Sequence, residues 1–153
     1  MIAGVDMLSW REVDFAGVVL AGVVGGYVMA LVGLWAGRVP RLMAIDIADH
    51  GRRYMVSDRS SAWVIGMLSH LFNSVLLVLV WAMVVQPNLE INRVLSGLVW
   101  GETLAVVLAG GLLGPLSGIG FMGFKTSNTK FALTAFLMHT VWGLVIGALY
   151  VTR

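Results

Sequence analysis

The sequence predicts an all-α integral membrane protein, an antiparallel bundle of four transmembrane helices with a short interfacial helix in the first loop. The composition supports this fold class, because 59% of the 153 residues are hydrophobic and only 12% are charged. Soluble domains carry about 25% charged residues. The mean hydropathy is +0.91. Four apolar stretches can each cross a bilayer, which takes ~20 residues, so we expect one transmembrane domain over residues 1–153.

The predicted spans lie at about 15–37, 62–85, 94–114 and 130–151. Ser9 and Glu12 have capping-box spacing ahead of the first span, and Pro115 should kink or end the third. Between the first two spans, the segment from Pro40 to Tyr54 combines apolar and charged residues. This pattern predicts a short helix in the membrane interface, with an ordered polar loop as the alternative.

Lysine and arginine residues predict how the bundle is oriented. The first loop contains five of them and the third loop two, against one each in the N-terminal tail, the second loop and the C-terminus. Cytoplasmic loops carry the excess of basic residues. We therefore expect the first and third loops in the cytoplasm and both termini on the non-cytoplasmic side.

The absence of particular residues and motifs excludes several kinds of chemistry. The chain has no cysteine, which excludes disulfides, thiolate metal sites and a cysteine nucleophile. It also has no phosphate-binding loop, no Gly-x-Ser-x-Gly and no paired-histidine zinc motif. The basic first loop is poor in aromatic residues and contains acidic ones, so we expect it to contact lipid headgroups rather than nucleic acid. The lipid bilayer is the expected partner, with bound lipids.

Glycines spaced four residues apart recur along the spans. Such pairs let helix backbones approach closely in lipid, where helix association depends on packing rather than on the hydrophobic effect. We therefore expect helix packing at Gly22, Gly26, Gly33, Gly37, Gly97, Gly101, Gly110, Gly114, Gly143 and Gly147.

Two histidines lie at the same predicted depth in the second and fourth spans. His70 lies eight residues past Ala62 and His139 nine past Lys130, so both are ~12–14 Å deep at ~1.5 Å per residue. Two imidazoles at one level are candidate axial ligands of a b-type haem in the bundle core. The structural alternative is that each donates a hydrogen bond to a neighbouring helix.

Asn73 and Glu102 extend the polar residues at this depth. Asn73 lies one helical turn from His70 on the same face, and such a pair should face neighbouring helices rather than lipid. Glu102 falls roughly at the level of Asn73. A buried carboxylate is costly when charged, which leaves three interpretations of Glu102. It could accept protons in a polar cluster with His70 and Asn73, or it could be protonated and form a hydrogen bond between helices. Alternatively, it could lie near the outer headgroups. We expect no metal, because nothing supplies further ligands.

The last span has the pattern His139-x3-Gly143-x3-Gly147-x2-Tyr150. This pattern resembles the closing helix of small four-span bacterial membrane proteins of unknown function. The resemblance covers one helix together with the general size. It implies four helices in a bacterial inner (cytoplasmic) membrane and no particular activity.

These observations lead us to expect a non-catalytic accessory subunit of a larger membrane-embedded complex. It would pack against other membrane subunits through its glycine-rich faces and would not be an enzyme. Two alternatives remain open. One is a small electron-transfer protein that holds haem b between His70 and His139, and the other is proton or ion translocation involving Glu102.

Overall fold

The computed structural model describes residues 6–49, 60–127 and 129–151. Within these ranges, four helices are long and apolar enough to cross a membrane, which confirms the predicted all-α, four-span bundle. The helices are α1 (Phe15–Ala36), α2 (Ser60–Val80, continued by π-helical Trp81–Val85 and by Gln86–Asn88), α3 (Arg93–Leu104, π-helical Ala105–Leu113 and Gly114–Leu116) and α4 (Thr129–Leu149).

A closed turn precedes α1. The Ser9 backbone amide and hydroxyl both donate to the Glu12 carboxylate, at 2.8 and 2.7 Å, and these hydrogen bonds hold the pKa of that carboxyl below its ordinary value. The helix itself begins only at Phe15, so the capping-box residues close a separate turn instead of starting α1. Paired hydrogen bonds of 3.0 and 2.6 Å between Asp6 and Asn88 then attach this tail to the end of α2.

The helices pack in the order α2–α1–α4–α3, and this row does not close into a ring. α1 packs against α2 and α4, and α4 packs against α3. In the described chain, α2 and α3 pack together only toward the turn that joins them. There Trp81 Nε1 donates to Ser96 Oγ at 2.9 Å, and Trp100 Nε1 donates to the Leu77 carbonyl oxygen at 3.1 Å. Among the described residues, the bundle is therefore closed at this end, and α2 and α3 do not pack together over the rest of its length.

A buried chain of hydrogen bonds joins three of the helices. Trp142 Nε1 on α4 donates to Ser74 Oγ on α2 at 2.8 Å. The Ser74 hydroxyl in turn donates to the Gly22 carbonyl oxygen on α1 at 2.7 Å. Both side chains are buried, and an unpaired polar group at this depth is costly, so the chain fixes how α1, α2 and α4 meet.

Glycines make the closest approach in the bundle, between α3 and α4. Gly97 and Gly101 face Gly143 and Gly147 across this crossing. A Cβ atom on Gly97 or Gly143 would collide with the carbonyl oxygen of the other residue, and one on Gly147 would lie 2.6 Å from the Arg93 carbonyl oxygen. Because backbone atoms are on both sides, no rotamer change could relieve these contacts.

The remaining glycines predicted to pack fall into two groups. Gly22 and Gly26 face α2, and a Cβ atom on Gly22 would lie 2.6 Å from Val75 Cα. Of the others, three pack against connecting segments, and Gly33 packs against both the first loop and Met138 of α4. For example, a Cβ atom on Gly33 would lie 2.7 Å from the Ile45 carbonyl oxygen of the first loop. This second group contains Gly33, Gly37, Gly110 and Gly114.

The first loop differs from the predicted helix over its first half. Residues 42–46 are not helical and residues 47–49 are, while residues 50–59 lie outside the described residues. The Ile45 amide donates to the Gly33 carbonyl oxygen at 3.0 Å, and the Met43 amide donates to Thr134 Oγ1 at 3.0 Å. These bonds use α1 and α4 as partners, so the main chain does not form the helix that the proline at its start favours.

α3 changes its winding ahead of its proline. The Gly114 amide donates to the Ala109 carbonyl oxygen five residues back, which is the π-helical pattern. Pro115 has no amide hydrogen, and its ring crowds the carbonyl of the preceding turn, so the wider winding relieves that contact. α3 then ends at Leu116, where the sequence predicted a kink or an end. Irregular chain follows, with left-handed φ values at Gly118, Gly120 and Gly123.

Candidate functional site

A cavity of about 280 Å³ lies inside the open side of the bundle, and we call it the cleft. All four helices and the first loop contribute to its lining. Leu77, near the closed end of α2, lies on one side, and Ile45 and Ile47 of the first loop are also part of the lining. Most of the lining side chains are apolar, and none of those in the described chain is charged. Pockets for small molecules measure ~300–1,000 Å³, so the cleft suits a small uncharged ligand.

The π-helical part of α3 supplies one side of the cleft. Leu104, Leu108, Ala109 and Leu113 line it there. In π winding the hydrogen bonds run between residues five apart. Residues four and five positions apart, as these are, therefore lie on the same face of the helix. Such segments within α-helices occur frequently at functional sites. The irregular winding next to Pro115 therefore creates the apolar surface opposite α2.

Both predicted histidines line the cleft. His70 Nε2 lies 3.0 Å from the Gly26 carbonyl oxygen on α1, and His139 Nδ1 lies 2.7 Å from the Ala135 carbonyl oxygen one turn earlier on α4. A carbonyl oxygen only accepts, so the contacting nitrogen of each ring carries the proton. The neutral imidazoles then keep a lone pair on His70 Nδ1 and on His139 Nε2. Two half-buried rings in one cavity thus each retain one unused acceptor.

Asn73 lies at the exposed edge of the cleft. The sequence predicted that neighbouring helices would cover both His70 and Asn73. α1 does cover His70, but Asn73 is exposed because α3 diverges from α2 at this level. Its side-chain amide has no hydrogen-bond partner within the described chain. An unpaired amide at membrane depth is costly, so we expect a molecule from outside the chain to bind it.

Glu102 is separate from the other two polar residues. Its carboxylate accepts a hydrogen bond from Thr140 Oγ1 on α4, and its side chain is not among those that line the cleft. His139 and Thr140 are consecutive on α4, so they point in directions about 100° apart. The predicted group of His70, Asn73 and Glu102 is therefore not one cluster, and Glu102 instead links α3 to α4.

Ser74 and Trp142 are cleft residues that the sequence analysis missed. Both line the cavity as well as joining the helices through the hydrogen bond between them. One signal was available for Ser74, which lies four residues after His70 and hence on the same helical face. The π winding had a weaker signal, a pair of glycines shortly before a proline in the middle of an apolar run.

The residues of the cleft meet one requirement of haem binding and lack others. Metal-ligating histidines usually donate their second ring nitrogen to an acceptor such as a backbone carbonyl, and both rings do so. A flat macrocycle would need small residues beside both histidines, and Gly66 and Gly143 each lie four residues from one of them. Gly66 lines the cleft, but Gly143 packs against Gly97 and leaves no space beside His139. No basic side chain in the described lining is available to pair with haem propionates. The residues therefore fit a smaller uncharged molecule better than they fit haem.

The described residues contain no group of three or more histidine, cysteine, aspartate or glutamate side chains that could hold a metal ion. No family model, curated protein or solved structure matches this chain. The resemblance of the closing helix to small four-span bacterial membrane proteins therefore stays a prediction.

Proposed function

We propose that this multi-pass membrane protein binds a lipid-soluble small molecule in the cleft and does not transform it. The observation that carries the proposal is the apolar cavity of about 280 Å³ on the open side of the bundle, with the unpartnered Asn73 amide at its edge. Binding is favoured over catalysis because backbone carbonyls engage the protons of both imidazoles, and Thr140 engages the Glu102 carboxylate. In the described chain, no side-chain acid is therefore paired with either imidazole for proton transfer.

Filling the cleft should weaken binding. Ala109 is buried and lines the cavity, so the ring in Ala109→Phe would occupy the ligand's space. We expect this variant to bind an apolar fluorescent probe about tenfold or more weakly than the original chain, since overpacking typically costs ~1–3 kcal/mol. The matched control is Val107→Phe, because Val107 is 56% exposed on the outer side of the same helix. Equal probe binding by both variants would rule out the cleft as the site.

The exposure of α2 favours a second proposal, that the chain is a non-catalytic accessory subunit of a larger membrane-embedded complex. In α2, 22% of the most apolar stretch is buried, against 39% in each of the other helices. Val64, Leu68 and Phe72, each four residues apart, form an apolar ridge and are 53%, 60% and 63% exposed. Residues at this spacing share one helical face, so a helix of another subunit could pack along the ridge.

A photo-crosslinking residue at Phe72 should test this second proposal. We expect a covalent adduct with one defined membrane protein, present in a fixed ratio when the complex is purified in mild detergent. The same crosslinking residue at Val107, which is 56% exposed on α3 and not part of the ridge, should give no such adduct. A chain that migrates as a monomer in native gels and forms adducts only with lipid would contradict the subunit proposal while leaving the ligand-binding proposal intact.

We also propose that the first and third loops face the cytoplasm of a bacterial cell. The chain has no native cysteine, so single cysteines can report the orientation. Ser127→Cys, in the third loop, should resist an impermeant thiol reagent in intact cells, whereas Ile91→Cys, in the second loop, should react. Both side chains are exposed, so accessibility within the protein does not limit either reaction. The reverse labelling pattern would invert the orientation.

A further inference from the structure

We propose that the ligand of the cleft is an aromatic diol of the quinol class, whose two hydroxyl groups donate hydrogen bonds to His70 and His139. This inference rests on the proposed ligand-binding function and adds the chemistry of the ligand. It follows from which hydrogen-bonding atoms remain unused in the cleft, from the absence of charge in the described lining, and from the position of Asn73.

The unused atoms of the two imidazoles are acceptors. Backbone carbonyls fix the proton on His70 Nε2 and on His139 Nδ1, which leaves only a lone pair on the other nitrogen of each ring. A ligand that satisfies both rings must therefore bring two donors. Hydroxyl groups are the donors that an uncharged, lipid-soluble molecule most readily carries, whereas ammonium and guanidinium groups are charged and would lack a counter-charge in the described lining.

The surroundings keep the imidazoles in this neutral form. No carboxylate lines the cleft in the described chain, and Glu102 makes its hydrogen bond to Thr140 outside it. An imidazolium that is buried without an opposite charge is strongly disfavoured. The rings therefore stay acceptors, and they cannot become donors to a ligand without giving up a backbone carbonyl.

The lining of the cleft suits an apolar ring with an apolar tail. Leu104, Leu108 and Leu113 of α3 supply an apolar surface opposite the polar residues of α2. Asn73, at the open edge, can both donate to and accept from a substituent of the ring. A tail attached to the ring can leave through the gap between α2 and α3 and lie among the lipid chains.

The same arrangement discriminates against the oxidised form of such a molecule. A quinone has carbonyl oxygens in place of hydroxyls, so it brings acceptors to two acceptors. Each imidazole lone pair would then be desolvated without a partner. Losing one hydrogen bond of this kind corresponds to about a tenfold weaker affinity, so the cleft should select the reduced form.

The test compares three ligands that share one ring and one tail. They are a short-chain benzoquinol, the corresponding benzoquinone, which is nearly the same size and has no donor, and the dimethyl ether of the benzoquinol, which is larger by two methyl groups and also has no donor. Affinities are measured calorimetrically under anaerobic conditions with the full chain in lipid nanodiscs. We expect the benzoquinol to bind at least about tenfold more tightly than the other two. Equal or tighter binding of the benzoquinone or the ether overturns the inference.

Substitutions then assign the two acceptors. His70→Phe and His139→Phe should each lower benzoquinol affinity by about tenfold and leave the affinity for the ether unchanged. His139→Gln keeps an acceptor and should retain part of the preference for the benzoquinol. Ile65→Phe is the control and should change nothing, because Ile65 is 48% exposed on α2 and belongs neither to the cleft lining nor to the ridge. The comparison of the three ligands on the unaltered chain stands even if a histidine variant fails to fold.

The outcomes separate this inference from the proposed function. If all three ligands bind equally and Ala109→Phe blocks them all, the cleft is a binding site but the inference is wrong. If none binds and Ala109→Phe leaves the apolar probe unaffected, the proposed function itself fails. A low-spin haem spectrum in the purified protein, lost in either histidine variant, would assign the two lone pairs to iron and overturn the inference.

Discussion

Replacing Gly97 with alanine should separate α3 from α4 and lower the stability of the bundle by about 3 kcal/mol, the upper end of the usual cost of overpacking. The added methyl group would collide with the Gly143 carbonyl oxygen and lie 3.2 Å from the Gly147 backbone nitrogen. These are main-chain atoms of α4, so α4 as a whole would have to move. The loss of stability can be measured by titration with a denaturing detergent, followed by circular dichroism.

Gly111→Ala is the matched control for this substitution. Gly111 lies on the same helix but is exposed, and the nearest atom to an added Cβ there is its own helix's Val106 carbonyl oxygen at 3.2 Å. We expect little change in stability from it. If Gly97→Ala were as stable as Gly111→Ala, the close crossing of α3 and α4 would be wrong, and the cleft that depends on it would have a different shape.

Ser74→Ala should have the second largest effect, a loss of about 1–2 kcal/mol. The substitution leaves the Trp142 indole N–H without its acceptor and the Gly22 carbonyl oxygen without its side-chain donor. A buried group left unpaired costs ~1–3 kcal/mol in soluble proteins, while single hydrogen bonds between membrane helices average about 0.6 and reach ~1.7 kcal/mol. The same detergent titration measures this loss.

Ser69→Ala provides the comparison, because Ser69 lines the same cleft but makes no hydrogen bond within the described chain. Trp142→Phe should also destabilise the bundle, and the double variant with Ser74→Ala should lose less than the sum of the two single losses. This non-additivity is expected when two residues share one interaction. Strict additivity would show that the two side chains do not stabilise the bundle through each other.

Depth along a helix could be predicted from the sequence, whereas rotation about the helix axis could not. Each residue adds ~1.5 Å to the depth, so His70 and His139 were expected at one level, and both do line the cleft. Glu102 was placed at a similar level by the same reasoning. It still lies outside the cleft, because depth does not specify which neighbour a side chain faces.

The spans could be predicted because hydropathy adds residue by residue, but the gap in the bundle could not. Any order of four apolar helices satisfies the same hydropathy. The order α2–α1–α4–α3 depends on which glycine pairs meet. The sequence does not specify that Gly97 faces Gly143, because each of them could equally have packed against a different helix. The first loop shows the same limit, because its main chain bonds to Gly33 and Thr134, two partners that are distant in the sequence.

Because the described parts of α2 and α3 diverge between two membrane-spanning helices, a ligand bound in the cleft as proposed would lie beside hydrocarbon rather than beside water. Such a ligand would enter from the bilayer without passing through the aqueous phase. Its occupancy then depends on its mole fraction among the lipids, and its aqueous concentration matters only through partitioning. If the proposed binding holds, two cells that contain the same amount of ligand but different areas of membrane would fill the site to different extents, so the site would respond to the composition of the bilayer.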